Sequence, residues 1–320
     1  MNKRKIKNVL VVLGGTSGER AVSLESGRAC IKALKRKGYK VSSFDPKNKN
    51  FNLINRKYTD VIFNALHGRD GEDGVAQSYF EYLKIPYTHS GVISSFNAMN
   101  KLISKELFIK NKIKTPKYII IKKLNINKKR LQQKIFKNKI KFPIVLKPVN
   151  EGSSLGVEVC KNEKKLHKTA IKLLKKYDEL ILEEYIGGQE VQVAVINGKS
   201  LGAIELVPKR LFYDYQAKYT KKAKTKHIMP ARLSKKKYNQ VLKIAKKTHK
   251  ILNCRGVTRS DFKFYKNNFY LLELNTQPGM TSLSLVPEIA NYKGLSFENL
   301  VERILLDASI NRWKTAQLSR

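Results

Sequence analysis

Val257-Thr258-Arg259-Ser260-Asp261-Phe262-Lys263-Phe264, a Lys266-Asn267-Asn268 turn, and Tyr270-Leu271-Leu272-Glu273-Leu274-Asn275 read as the two strands of one hairpin. Side chains along a strand alternate between faces, and directly opposed residues of a hairpin share a face. Pairing Phe262 and Phe264 with the face of Leu272 and Leu274 requires an even register. That register places Arg259, Asp261, Glu273 and Asn275 together on the other face, and a turn centred near Asn267 sets Asp261 opposite Glu273. Two carboxylates with β-carbons roughly 5 Å apart repel each other unless a cation sits between them. A hard divalent cation suits them, since magnesium takes carboxylate and amide oxygens and completes its octahedron with waters and nucleotide phosphates. Taken alone, the string fits equally the solvent-facing side of an ordinary hairpin.

Upstream, Glu151-Gly152-Ser153-Ser154-Leu155-Gly156 lies between two predicted strands, and Lys147 precedes it in Ile144-Val145-Leu146-Lys147-Pro148. Small residues there let backbone amides wrap a phosphate, although most glycine-serine loops are only turns. Gly198-Lys199-Ser200 ends like a P-loop, but Val193 stands where its first glycine is needed and a strand follows. Gly14-Gly15-Thr16-Ser17-Gly18-Glu19 follows a strand and opens a helix without the glycine spacing of a dinucleotide site. It does place a carboxylate, Glu19, at a strand-to-helix turn, where parallel-sheet proteins bind ligands. Glu19 there suits an amine, or simply favours the helix N-terminus through the macrodipole.

The first third alternates strands and helices: Val9–Leu13, a helix over 22–37, Val41–Phe44, Val61–Leu66, and a helix over 75–83. Such alternation implies a parallel sheet covered by helices. One helix over 94–110 ends before Thr115-Pro116, and the first domain boundary falls in that neighbourhood. Next come a strand at Tyr118–Ile121, a charged helix, the strands around the glycine-serine loop, a lysine-rich helix and a strand ending at Glu183-Glu184. Gly187-Gly188 reads as a hinge. Val191–Ile196 and Leu201–Val207 form a hairpin through Asn197-Gly198. A polar, aromatic loop at about 208–228, a helix near 235–252, the opening strand pair and C-terminal helices complete the chain.

A chain of 320 residues with 42% hydrophobic content has the means for two or three cored units. It shows no apolar run of about 18 residues and no signal-peptide pattern at its basic start, so a soluble, cytoplasmic protein is expected. Cys30, Cys160 and Cys254 are odd in number and lack metal or redox spacing, which predicts buried thiols. The net charge of +40 alone suggests a nucleic-acid partner or an anionic membrane. Lysine far outnumbers arginine, however, and is spread along the chain, whereas base readout and bidentate phosphate contacts favour arginine. In 163–176, Lys165, Lys168, Lys172 and Lys175 recur at helical spacing while Leu166, Leu173 and Leu174 mark another side, the pattern of a solvated helix face.

Several long strings stand in one order: Gly14–Ser23 (GGTSGERAVS), His67–Gly74 (HGRDGEDG), Lys147-Pro148 with EGSSLG, Phe212–Tyr219 (FYDYQAKY), Arg259-Ser260-Asp261, and Leu271–Pro287 (LLELNTQPGMTSLSLVP). Through them the chain, from about residue 8 to 307, resembles the D-alanine–D-alanine ligases of the ATP-grasp superfamily. The resemblance implies an α/β and α+β fold of three domains. These are an N-terminal parallel-sheet domain (1–96), a central ATP-grasp subdomain (97–186), and a C-terminal catalytic domain (187–320) whose segment at about 208–228 is a lid. It implies ATP-dependent joining of two D-alanines through D-alanyl phosphate, giving D-alanyl-D-alanine, ADP and phosphate for peptidoglycan precursors, in a homodimer.

By the same resemblance, Lys101 and Lys147 contact ATP phosphates together with Ser153 and Ser154. Glu183, the backbone of Glu184 to Ile186, and Glu190 hold adenine and ribose. Asp261, Glu273 and Asn275 bind two magnesium ions, with manganese as a substitute, in agreement with the register argument. Glu19 receives the first D-alanine's ammonium and His67 joins the substrate site. Arg259 and the Gly279 amide form an oxyanion hole, and Ser284 with Leu285 bind the second carboxylate. Lys218 neutralises the acyl phosphate, while Tyr219 reaches towards Ser153 and Glu19. Tyrosine at 219 goes with dipeptide formation, and phenylalanine with the D-lactate-using relatives that are the nearest alternative. Three positions depart from the family's pattern: Asn100 before the ATP lysine, Glu184 in the hinge and Gln216 in the lid.

Overall fold

The first apolar run becomes β1 (Asn8–Val12), the centre of a parallel three-stranded sheet with β2 (Lys40–Phe44) and β3 (Val61–Asn64) on either side. In this computed structural model, residues 6–123, 127–152, 155–208 and 225–310 are described. Parallel neighbours need a crossover, which α1 (Arg20–Arg36) provides between β1 and β2 while burying Val22, Cys30, Ala33 and Leu34. After β3, α2 (Val75–Tyr82) buries Phe80 in the core formed by Leu10, Ile62 and Tyr87.

The helix predicted over 94–110 is in fact two, α3 (Val92–Met99) and α4 (Lys101–Lys110), divided at Asn100. Asn100 has an extended backbone, with ψ 105°, and its Oδ1 accepts hydrogen bonds from the amides of Leu102 (3.0 Å) and Ile103 (3.1 Å). Asparagine is a strong N-cap because this oxygen satisfies amides that have no intrahelical partner. The break makes Lys101 the first residue of a new helix.

The middle of the chain forms an antiparallel sheet of β4 (Tyr118–Lys122), β7 (Glu179–Glu184), β5 (Ile144–Pro148) and β6 (Glu158–Cys160), in that order. Leu131 and Ile135 of α5 (Lys128–Lys137), with Leu166, Ala170 and Leu174 of α6 (Glu163–Leu174), cover it and share its core. Lys165, Lys168, Lys172 and Lys175 are exposed, as their spacing predicts.

The third sheet runs β10-β9-β8-β11-β12, all antiparallel, from β8 (Gln189–Ile196), β9 (Lys199–Val207), β10 (Lys226–Ile228), β11 (Val257–Tyr265) and β12 (Asn268–Asn275). Asn197 and Gly198 both have positive φ, 48° and 70°, as a two-residue hairpin turn requires. Residues 226–228, read as the end of a loop, instead pair with Glu205–Val207. The rest of that segment, 209–224, lies outside the described residues. At the 187–188 turn, Gly188 has φ 81°, and a β-carbon there would lie 2.2 Å from the Phe264 carbonyl oxygen, so only glycine fits.

Alternation along β8 supplies two cores at once. Val191, Val193 and Val195 pack with Val241 and Ala245 of α7 (Lys235–Ile251), whereas Ala194 and Ile196 join Val9 and Val11 of β1. Ile289 of α8 (Leu285–Tyr292) and Ile304 of α9 (Phe297–Leu306) belong to that second core. The C-terminal helices thereby tie the five-stranded sheet to the N-terminal one, with Lys37 Nζ 3.2 Å from Glu302 Oε2. Cys30 and Cys160 are buried, but Cys254 is only half-buried. Among the described residues no helix is long and apolar enough to cross a membrane.

Candidate active site

On β11 and β12, Asp261 lies opposite Glu273 and Arg259 opposite Asn275, the pairing expected from the sequence. The route to that pairing differs. Tyr265 pairs with Asn268 across a two-residue turn, Lys266-Asn267, with φ 44° and 64°. A register counted from this turn sets Phe262 against Leu271, and uninterrupted alternation would then carry Glu273 onto the core face. A β-bulge between Asp261 and Phe262 leaves Leu272 as the extra residue and reverses the parity. Leu271 and Leu274 therefore both enter the core beside Phe262, while Leu272 lines a cleft. The even register predicted throughout holds only for the Asp261 end.

Arg259 grips Asp261 in a fork, Nε to Oδ1 at 2.8 Å and Nη2 to Oδ2 at 3.0 Å. A carboxylate accepts at about four lone-pair positions, so both oxygens retain capacity. Asn275 Oδ1 accepts from the Gln277 amide at 2.8 Å, which fixes the side chain with its second lone pair available. Two carboxylates and an amide oxygen on one face fit a hard divalent cation. Among the described residues no three His, Cys, Asp or Glu gather as a metal site, so such a cation would draw its remaining ligands from phosphate or water.

Behind this face two lysines meet Glu183, the penultimate residue of β7. Lys147 Nζ lies 2.8 Å and Lys105 Nζ 3.1 Å from the same Glu183 Oε1. Lys101 Nζ donates to the Glu151 carbonyl. Burial pushes the Glu183 carboxyl up, but Lys105 and Lys147 outweigh it and hold the group below the usual carboxylate range. Burial likewise lowers Lys105, to about 8, against the opposing pull of Glu183.

A cleft of about 730 Å3 opens where the two antiparallel sheets face each other. Its walls hold Lys101, Lys147, Glu183, Glu184, Ile186, Glu190, Asp261 and Glu273 from the sequence-predicted set, with Leu272 and Lys263 besides. Lys263 Nζ sits 3.0 Å from Glu190 Oε2. An adjoining cavity of about 480 Å3 shares Lys101, Glu151 and Glu273 with the cleft and is also lined by Arg259, Asn275, Gly152 and Glu72.

Glu19 is the N-cap residue of α1 and makes no side-chain cap hydrogen bond. Its carboxylate is buried and points to the glycine loop: a β-carbon on Gly152 would lie 3.2 Å from both of its oxygens. His67 Nε2 is 3.2 Å from Ser26 Oγ, which also accepts from the Met280 amide at 3.1 Å. One serine of α1 thus links the HGRDGEDG string to the 279–285 loop. In that loop Ser284 Oγ turns back to the Thr281 amide (2.9 Å) and a β-carbon on Gly279 would meet it at 2.8 Å, while Leu285 opens α8 and is buried. Ser153, Ser154, Gln216, Lys218 and Tyr219 lie outside the described residues.

Sequence reasoning passes over Lys105, Lys263, Glu72 and Ser26. The spacing of Lys101 and Lys105, four residues apart on one helix face, is a signal for the first. The alternation of β11 places Lys263 on the face of Asp261 and Arg259. Nothing local marks Ser26.

The family model described as D-ala D-ala ligase C-terminus matches residues 107–306, and that described as D-ala D-ala ligase N-terminus matches residues 42–90. The D-alanine–D-alanine ligase of Pelagibacter ubique is 56% identical over 308 residues, covering 96% of this chain and 99% of its own. That of Geotalea uraniireducens is 43% identical over 312 residues, covering 97% and 98%. A crystal structure of D-alanine–D-alanine ligase from Bacillus anthracis complexed with ATP superposes with a TM-score of 0.81 at 29% identity, covering 94% of this chain and 97% of that one.

Proposed function

The chain belongs to the D-alanine–D-alanine ligase family, and from that premise we propose how its own residues join two D-alanines at the expense of ATP. One observation carries the reading: Lys101, Lys147, Glu183, Glu190, Asp261 and Glu273, drawn from six elements, line one cleft. ATP occupies it. Lys101 and Lys147 act on the phosphates as point charges, and Glu183, itself clamped by two lysines, fixes where Lys147 stands. The backbone of Glu184 to Ile186 borders the adenine, and Glu190 meets the ribose.

Asp261, Glu273 and Asn275 would hold magnesium, or manganese in its place, which when bound neutralises charge on the phosphates. Glu19 takes the ammonium of the first D-alanine, whose carboxylate attacks the γ-phosphorus so that ADP leaves and an acyl phosphate forms. The second D-alanine, its carboxylate held by Ser284 and Leu285, attacks that carbonyl through its nitrogen. Arg259 and the Gly279 amide stabilise the oxyanion, and phosphate departs. Acyl phosphates hydrolyse, so water must be kept out, a task we assign to the segment at about 208–228 as a lid. Lys218 and Tyr219 within it carry their roles from family resemblance alone, as do Ser153 and Ser154. A homodimer in the cytoplasm, serving peptidoglycan precursor synthesis, belongs to the same reading.

The test is phosphate release from ATP against a panel of D- and L-amino acids and D-lactate. The expected result is release dependent on D-alanine with D-alanyl-D-alanine as product. Silence with D-alanine, or preference for D-lactate at neutral pH, would overturn the reading.

A further inference from the structure

Lys263 has no role in the scheme above, although it shares a face of β11 with Arg259 and Asp261 and lines the cleft. In the sheet it is paired with Glu190 of β8, and directly opposed residues of neighbouring strands share a face, with β-carbons about 5 Å apart. Its Nζ lies 3.0 Å from Glu190 Oε2, and the two side chains are only 13% and 9% exposed. On its other side Glu190 is paired with Leu206 of β9, which brings no charge. Of its two strand neighbours, only Lys263 can hold this carboxylate.

A carboxylate taken out of water is costly unless a cation and hydrogen bonds answer it. Along the cleft each such group has its own partner: Glu183 meets Lys105 and Lys147, Asp261 meets Arg259, and Glu190 meets Lys263. Lys263 is thereby committed to a carboxylate, unlike Lys101 and Lys147, to which the phosphates are assigned. A carboxylate accepts at about four lone-pair positions, more than one ammonium uses. An ammonium at 3.0 Å therefore fixes the carboxylate and leaves it the capacity to accept from hydroxyls.

We infer that Lys263 determines nucleotide specificity: by holding the Glu190 carboxylate against the sugar, it makes the cleft select ribonucleotides over nucleotides that lack ribose hydroxyls. The inference rests on the reading of this cleft as the ATP site. Lys263 acts through Glu190 and touches no reacting atom, so it is a positioning residue. A buried acceptor placed to meet hydroxyl donors rejects an analogue without them, because its lone pairs are then left unpaired. With the ammonium gone, the carboxylate is no longer fixed, and ATP loses a contact that a sugar without hydroxyls never makes.

Calorimetric dissociation constants of ATP and of dideoxy-ATP, which lacks both ribose hydroxyls, test this in the unaltered protein and in Lys263→Met, with magnesium present and D-alanine absent. The unaltered protein is expected to bind ATP about 30-fold more tightly than the dideoxy nucleotide. In Lys263→Met, which keeps the stem and removes the ammonium, ATP is expected to weaken about tenfold while dideoxy-ATP stays within about threefold. Turnover at saturating ATP also stays within about threefold, and Lys263→Arg must retain the unaltered ratio of affinities within about threefold. Equal weakening of both nucleotides overturns the proposal, because it marks a phosphate contact or a merely structural residue. An unchanged affinity for ATP in Lys263→Met overturns it too, as does an unaltered protein that binds both nucleotides alike. Should Lys263→Met fail to fold, Lys263→Gln also lacks the charge and must show the same narrowing. An unaltered protein that binds neither nucleotide would instead overturn the ligase reading, and this inference with it.

Discussion

Lys105 is fully buried with its ammonium between Glu183 and the Thr115 hydroxyl, at 3.1 and 2.6 Å. Its pKa of about 8 gives the proposed ATP cleft, which it meets through Glu183 and Lys147, a sensitivity to alkali. Below that value the cluster around Glu183 carries every lysine charge; above it one is lost, while the unfolded chain keeps its proton to about 10.5. The unfolded state therefore binds more protons between the two values, so this group makes the fold more stable as pH rises and ATP binding weaker. Raising the pH from 7 to 9 is expected to increase KM for ATP on the order of tenfold. In Lys105→Met, KM is already high at pH 7 and flatter across the range, with a stability loss of about 3 kcal/mol from leaving Glu183 short of one cation. Steady-state kinetics and thermal melting check both. The sequence makes Asp261 and Glu273 legible as opposed carboxylates, because face alternation is local. It does not make legible that Arg259, two residues along the same face, clamps Asp261 in a fork, since that depends on rotamers.

At the scale of elements, hydrophobic spacing makes strands and helices legible, while parity and breaks depend on single residues. The β11–β12 hairpin shows why. Its two-residue turn alone would leave Glu273 facing the core, and the bulge at Leu272 corrects it. No spacing rule announces a bulge, because Leu271, Leu272 and Leu274 are equally apolar. Deleting Leu272 removes the bulge and the residue that lines the cleft, yet leaves Asp261 paired with Glu273 in unbroken register from the turn. The expected outcome is retained turnover at saturating ATP, within about threefold, with KM for ATP raised on the order of tenfold. Loss of turnover at any ATP concentration would mean that the bulge itself aims the carboxylates. Asn100 is the second such residue, since a helical pattern running through 94–110 conceals a cap that starts a new helix at Lys101.

For the whole molecule, the alternation of strands and helices makes the N-terminal parallel sheet legible and turn residues mark two hairpins of the third sheet, while nothing local sets the antiparallel order of the middle one. The shared core is not: Ile289 and Ile304 are joined to Val9 and Val11 across most of the chain length, a contact that no local pattern contains. The +40 charge is distributed over outward faces, such as the exposed lysines of α6 and those of α7 at Lys236, Lys243 and Lys247, while the lysines that meet the cleft are few and mostly buried. The account makes one face of one strand pair, set against a cleft between two sheets, the place where ATP is turned over. Glu273→Gln tests that claim with less side effect than Asp261→Asn, which would also release Arg259. The measurement is D-alanine-dependent ADP formation by Glu273→Gln, taken beside its melting temperature. The account predicts a loss of at least about 1,000-fold in turnover with melting within a few degrees of the unaltered enzyme. ADP formation within about tenfold of the unaltered enzyme, in a variant that melts normally, would contradict it.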